Sequence, residues 1–306
     1  MNKISIGVVL VTFNRLGELR KALLCYENQS FKPKYMIVVD NCSTDGTDEF
    51  LNEWLKEESV IDKKVISLAE NEGGSGGFYA GLKAAQERTD AAWIWVADDD
   101  AFPEKDAFKV ANDFYMKNHE MMKKCSAFCG MCVDDNKHTA TLHQARIKTT
   151  IVGKQELPVN VKEFEKEYFK MDLYSFAGTF LRREALLKAG LPIRDFFIYQ
   201  DDYEHACRMR KLGNIYCVPE IIIHHNDNYM VKNEVSWRDY YASRNIVMMY
   251  KWHFDKCSMW MRILRRFVMV CTSFNLKKIK VTIIAIRDGL KEKKGLHPVY
   301  RPGWKG

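Results

Sequence analysis

Four short apolar runs in the first hundred residues constrain this chain more than any other feature. They are ISIGVVLVTF (4–13), YMIVVD (35–40), KKVISLAE (63–70) and AAWIWVAD (91–98). Runs this short and this rich in β-branched residues read as strands buried on both faces. Between them lie stretches with helical spacing: Leu16, Leu19, Leu23 and Leu24, then DEFLNEWLKE, then GLKAAQER. Strands alternating with helices predict an α/β fold, a parallel sheet with helices on both faces. Ser43 and Thr47 are both suitable caps for the second helix. A later helix is expected to open near Pro103. In open sheets of this kind ligands collect at the carboxyl ends of the strands. Asp40, Asn71 and Asp98 to Asp100 all fall there.

The 306 residues are 47% apolar and 28% charged, enough for one large α/β domain or two smaller ones. The net charge of +7 is unevenly placed. Lys251 to Gly306 holds 14 basic and 3 acidic residues, +11, which leaves −4 for the rest. The basicity belongs to the tail and does not indicate nucleic-acid binding. There Trp252, Trp260, Phe267 and Ile283 are interleaved with cations, a mixture suited to an anionic bilayer surface. A helical subdomain packed on the core, or a dimer contact, is the plainer alternative. No apolar run reaches the ~18 residues of a spanning helix, and MNKISIGVVLVTFNR is too short for a signal peptide. Nine scattered cysteines suggest reduced thiols in a cytosolic setting. Cys129 and Cys132, with Cys125 nearby, have a metal-like spacing but no second pair, so buried thiols are expected rather than zinc.

Three polar segments carry the chemistry. In WIWVADDDAF an extended backbone would put Asp98 and Asp100 on one face and Asp99 on the other. Two carboxylates on one face suit Mg2+ or Mn2+, which commonly bridges nucleotide phosphates; a solvated turn with Asp100 as a helix cap is the alternative. In NEGGSGGFYAGL, Gly73, Gly74, Gly76 and Gly77 let backbone approach a phosphate or sugar. The segment is no Walker loop, since Leu82-Lys83 follows Gly81, and no G-x-G-x-x-G, since Tyr79 takes the last glycine position. A flexible surface loop is the alternative. In QDDYEHACR, Asp201, Asp202 and Glu204 open a helix that ends in Arg208, Arg210 and Lys211, as the helix dipole prefers. A carboxylate there is also a candidate general base. Tyr174, Phe176 and Trp237 could form a platform for sugars, although core packing is the expectation for each.

VTFNR, VVDNCSTDGT, NEGGSGGFYAGL, DDDAF and FIYQDDYEHACRMRKLG occur in an order that resembles glycosyltransferase family 2, inverting enzymes of the GT-A fold. The resemblance covers about residues 4–250. With IIIHH and YYASRN the chain looks most like bacterial galactofuranosyltransferases, with O-antigen rhamnosyltransferases as close relatives. The resemblance implies a GT-A catalytic domain over 1–236, with a nucleotide-sugar half (1–104) and an acceptor half (105–236), then a basic helical region (237–306). It implies that Thr12, Phe13 and Arg15 line the nucleotide and that Asp40 meets the uracil N3–H. Asn71, Gly73, Gly74, Gly76 and Gly77 would hold the diphosphate and ribose, and Asp98 and Asp99 the donor. Asp98, Asp100 and His225 would hold Mn2+ or Mg2+, with His224 an adjacent alternative. Asp202 would be the base, with Asp201 as the fallback on the acceptor sugar.

The implied activity is metal-dependent transfer of galactofuranose from UDP-galactofuranose to a lipid-linked glycan, building a surface polysaccharide at the inner face of the cytoplasmic membrane. Where mycobacterial-type galactofuranosyltransferases carry a tryptophan pair, this chain has Tyr174-Ser175-Phe176, a departure that bears on the donor sugar. A rhamnosyltransferase using dTDP-rhamnose and an inactive sugar-nucleotide-binding scaffold are the alternatives. A nucleotidyltransferase would want a basic glycine loop near residue 12, which VTFNRLGE does not provide.

Overall fold

Each apolar run becomes a strand in the computed structural model, which describes residues 3–134, 136, 138–225 and 234–304. The chain begins β1 (Ile6–Thr12), α1 (Leu16–Glu27), β2 (Tyr35–Asp40), α2 (Thr47–Trp54), β3 (Asp62–Ser67), α3 (Gly73–Gln86) and β4 (Trp93–Asp98). These strands lie parallel in the order β3-β2-β1-β4. Along β1, Ile6, Val8 and Leu10 enter one core with Trp95 and Phe108, while Val9 and Val11 enter a second with Ile37, Val39, Phe78 and Leu82. Burial on both faces is why the run is unbroken.

The middle continues the same sheet. It contains β5 (Phe102–Pro103), α4 (Ala107–Lys117), α5 (His119–Met122), β6 (Cys125–Val133), β7 (Gln144–Thr150), β8 (Gly153–Pro158), β9 (Phe169–Met171), β10 (Leu173–Tyr174), β11 (Thr179–Arg182), α6 (Arg183–Ala189), α7 (Asp201–Met209) and β12 (Asn214–His224). Beyond β4 the order is β11-β6-β12-β5, and β9 also pairs with β12. β5, β9 and β11 oppose their neighbours, so six of the nine strands run one way. The sheet is mostly parallel, as expected, and a single sheet runs through both 1–104 and 105–236. β10, β7 and β8 make a small antiparallel sheet.

Three expectations about local structure fail. The third helix opens at Gly73, eight residues before the GLKAAQER stretch. Pro103 starts no helix: it pairs with Ile223 in β5, and α4 begins at Ala107. α2 is preceded by Gly46 at φ 89°; Thr47 is its first residue, and the Ser43 hydroxyl instead accepts the Asn14 N–H. The cysteine reading fares better. All nine are free thiols. On β6 a three-residue spacing puts Cys129 in one core and Cys132, with Cys125, in the other, so they cannot share an ion.

The C-terminal region is α8 (Trp237–His253), α9 (Lys256–Cys271) and α10 (Leu276–Leu290). Ser236 and Asp239 form a capping box at the start of α8. α9 docks on β8: the Ser258 hydroxyl accepts the Lys154 N–H at 2.7 Å, and Arg262 pairs with Glu156 at 2.6 Å. Among the described residues no helix is long and apolar enough to cross a membrane.

Candidate active site

Three parallel strands end side by side. Thr12 is in register with Asp40, and Asp98 lies opposite Val11. The backbone turns after Asp98, so the alternation assumed for the three aspartates does not hold. Asp99 does not point away; at 1% exposure it is the most buried of them. It accepts the Thr12 hydroxyl at 2.6 Å and lies 3.3 Å from Arg15 Nε. Asp100 takes the other side of the Arg15 guanidinium and sits 3.4 Å from His225 Nε2. Strand alternation separates the two histidines: His224 Nε2 meets Glu104 at 3.2 Å, so His225 is the one beside the aspartates.

Burial and the charges of Asp100 and Asp99 push the Asp98 carboxyl well above the usual carboxylate range. Burial raises Asp99 to about 6, against the pull of Arg15 and Thr12. Burial would raise Asp100 too, but His225 and Arg15 hold it at about 2. Among the described residues the Asp98 carboxylate has no hydrogen-bond or ion-pair partner. No group of three or more His, Cys, Asp or Glu side chains there is drawn together as a finished metal site. The donor chemistry nevertheless fits a hard divalent cation: oxygens from adjacent carboxylates, one of them without a counterion, and an imidazole alongside.

Beside this cluster, Asp40 is buried and accepts the Ser43 N–H at 3.1 Å. Asn41 is a residue that sequence reasoning passed over. Its buried amide accepts the Glu72 N–H at 2.9 Å and donates to Gly73 O at 3.0 Å and Asn71 Oδ1 at 3.2 Å. Asn71 in turn accepts the Gly73 N–H at 2.8 Å. These bonds fix the entry to α3. The glycines there are not a loose loop. Gly73, at φ 71°, passes so close to Phe197 that a Cβ would lie 1.9 Å from its carbonyl oxygen. A Cβ on Gly77 would meet Val11 at 2.4 Å, so this glycine lets the helix press onto β1. Gly76 is crowded by Glu72 of its own turn, and Gly74 alone faces open space. Phe13 is exposed beside this edge, at 38%.

The second acidic pair begins α7. Asp201 is buried, and Asp202 accepts the Tyr203 N–H at 2.7 Å. Burial raises both carboxyls, and the charge of Asp201 raises Asp202 further. No arginine, lysine or histidine lies in ion-pair contact with either among the described residues. Glu204 has a different role: it is bound by Arg208 at 2.8 Å and by His253 Nε2 at 2.9 Å, tying α7 to α8.

With this geometry in view, comparison places the chain. The model of glycosyl transferase family 2 matches residues 7–189. The chain belongs to that family. It is 26% identical over 209 residues to the galactofuranosyltransferase GlfT1 of Mycobacterium tuberculosis H37Rv, covering 68% of this chain and 66% of the relative. S. aureus TarS 1-349 in complex with UDP superposes with a TM-score of 0.54 at 17% identity, over 80% of this chain and 65% of that one. The mannosyltransferase PcManGT from Pyrobaculum calidifontis, in complex with GDP-Man and Mn2+, gives 0.59 at 13% identity, over 97% and 78%. The chain thus spans slightly less than two thirds of GlfT1 and of TarS 1-349. The architecture is the GT-A fold.

In this family 2 chain two of the aromatic residues weighed as a sugar platform, Tyr174 and Phe176, are core, and Trp237 is half-buried. Tyr174 is buried with its hydroxyl 2.9 Å from His205 Nδ1, Phe176 packs on Phe78 at 4.7 Å, and Trp237 packs edge-on against Phe197 and Tyr241. His143 went unnoticed in the sequence. It meets the Ser175 hydroxyl at 2.7 Å and stands edge-on to His225, ring centres 4.9 Å apart. Nothing in its immediate sequence, TLHQA, signals this.

Proposed function

We propose that this protein is an inverting, metal-dependent glycosyltransferase that moves galactofuranose from UDP-galactofuranose to a lipid-linked glycan of a surface polysaccharide. The observation that carries the reading is Asp98: an unpartnered carboxylate in a three-aspartate turn, beside His225, at the carboxyl edge of a parallel sheet. The likeness to GlfT1 supports the donor sugar. The UDP and Mn2+ named in the complexes of TarS and PcManGT support a nucleotide donor and a divalent ion.

Thr12, Phe13, Arg15 and Asp40 would line the nucleotide, and Asp98 and Asp99 the donor. The α3 start, Asn71 with Gly73, Gly74, Gly76 and Gly77, would face the diphosphate through helix N–H groups other than those of Gly73 and Ser75, which Asn71 and Phe197 already take. Mn2+ or Mg2+ held by Asp98, Asp100 and His225 would supply positive charge against the departing diphosphate. Asp202 takes the acceptor hydroxyl's proton while that oxygen bonds to the anomeric carbon from the face opposite the leaving group. The bond from the anomeric carbon to the phosphate oxygen breaks, and UDP leaves. Asp201 binds the acceptor. On this reading 1–236 is the catalytic domain, its donor half 1–104 and its acceptor half 105–236.

Residues 237–306 bring the enzyme to its lipid acceptor at the inner face of the cytoplasmic membrane. Trp260, Leu264, Phe267, Val268 and Phe274 are exposed on and just after α9, a helix with four cations and no acid. Of these cations Lys256 and Arg265 are exposed, while Arg262 is paired with Glu156; an anionic bilayer would complement the apolar face they flank.

The test is a donor screen with a lipid-linked acceptor, read by mass spectrometry. Transfer from UDP-galactofuranose supports the reading. Turnover of dTDP-rhamnose alone replaces it with the rhamnosyl one, and nucleotide binding without any turnover makes the protein a scaffold. Cosedimentation with phosphatidylglycerol vesicles but not phosphatidylcholine vesicles is expected; equal binding or none refutes the membrane contact.

A further inference from the structure

The backbone that delivers Asp201 has a conformation that side-chain-bearing residues rarely adopt. Phe197, Tyr199 and Gln200 have φ of 67°, 67° and 68°, and none is glycine. Such backbone persists only where its surroundings over-determine it. The restraint comes from α8. Asn245 is fully buried, and its Nδ2 donates to the carbonyls of Phe196 at 3.0 Å, Ile198 at 2.9 Å and Tyr199 at 2.9 Å. Arg244, 1% exposed, donates to Asp195 O at 3.0 Å and Phe196 O at 3.1 Å. Its Nε donates to Asn245 Oδ1 at 2.8 Å, which orients the amide. Arg244 also donates through Nη1 to Gly295 O at 2.6 Å, but most donors of the two side chains go to one turn. These two send five bonds there.

The other side of the turn rests on α3. Phe197 O accepts the Ser75 N–H at 3.2 Å and is the atom that forces Gly73 to lack a Cβ. Arg194, just upstream, is paired with Glu72 on the residue before α3. One strained turn is therefore wedged between the start of α3 and the start of α7.

We propose that Arg244 and Asn245 are positioning residues that clamp residues 195–200, and that this turn couples the α3 start to the Asp201–Asp202 pair. Displacement at Gly73–Ser75 moves Phe197, and the clamp passes the movement to the carboxylates instead of letting the turn relax. This rests on the functional reading above: a donor seated at the α3 start orders the base at α7.

The experiment follows amide exchange, UDP affinity and steady-state transfer in the full chain. In the unaltered protein UDP is expected to slow exchange in 196–202 as well as in 73–78. In Arg244→Lys and Asn245→Ser, kcat and UDP affinity are each expected to fall tenfold or more, with faster exchange in both segments. Adding Gln200→Asn to Asn245→Ser is expected to restore part of both, because Asn tolerates left-handed backbone; a role in packing alone gives no such rescue. UDP protection confined to 73–78 in the unaltered protein overturns the coupling whether or not the variants fold. Folded variants that keep full UDP affinity overturn it too. Loss of the transferase reading is seen separately, as absence of transfer by the unaltered protein, and leaves the exchange measurement standing.

Discussion

Two acidic clusters lie in this site, and they differ in one respect: burial raises Asp98 and Asp99 as it raises Asp201 and Asp202, but only the first cluster has cations, which hold Asp100 low. Asp98 to Asp100 are three carboxylates with Arg15 and His225 among them, and Asp100 stays ionised at about 2. Asp201 and Asp202 are two carboxylates with no cationic partner among the described residues, and both hold their protons more tightly than usual. Paired acids in both places are alike as sequence. On the proposed reading their neighbours suit them to different chemistry, the first cluster to a bound cation and the second to accepting a proton.

The sharpest break in this comparison is Asp202→Asn. A positioned base contributes about 10²–10⁴ in rate, so kcat is expected to fall by that factor while UDP affinity measured by calorimetry stays within about twofold. Equal losses in both would make Asp202 a donor ligand. Next is Asp100→Ala, expected to remove the Mn2+-dependent part of UDP affinity, roughly tenfold or more. Unchanged Mn2+ dependence in a titration would break the assignment of the first cluster.

The pH profile separates the clusters by direction. A base with a raised pKa is protonated at low pH, so kcat should climb as pH rises through that value, and the climb should vanish in Asp202→Asn. An acid limb near pH 2–3 would instead point to Asp100. The smallest effects are on melting temperature, and they have opposite signs. Asp202, raised in the folded state, costs stability as pH rises from about 4 through its folded pKa. Asp202→Asn should therefore melt above the parent at pH 8, with the gap closing towards pH 4. Asp100, lowered in the folded state, contributes stability above about pH 4 that is lost as pH falls towards 2. Asp100→Asn should therefore melt below the parent at pH 7 without added metal. Scanning calorimetry at both pH values reads both signs, and equal signs would mean that the clusters do not differ.

Period and residue type determined much of this molecule. Two-faced burial leaves its mark in unbroken apolar runs, so the four parallel strands, their order with helices and the acidic strand ends were legible. What sequence could not carry was contact between distant segments. Nothing local says that β11 runs antiparallel between β4 and β6, or that Asp99 turns inward to Thr12 because the chain leaves the strand at Asp98. The glycines expected to precede the third helix turned out to form its first turns, and Gly77 is small because Val11 lies across from it. His143 gave no signal, and Asn41 in VVDNCSTDGT and Arg244 and Asn245 in YYASRN stood in quoted motifs without a role, because the groups that give them one lie 30 or more positions away. Periodicity records how each segment meets a core, since burial repeats with the backbone. Which polar groups meet, and so whether a carboxylate keeps its proton, depends on neighbours that only the closed chain brings together.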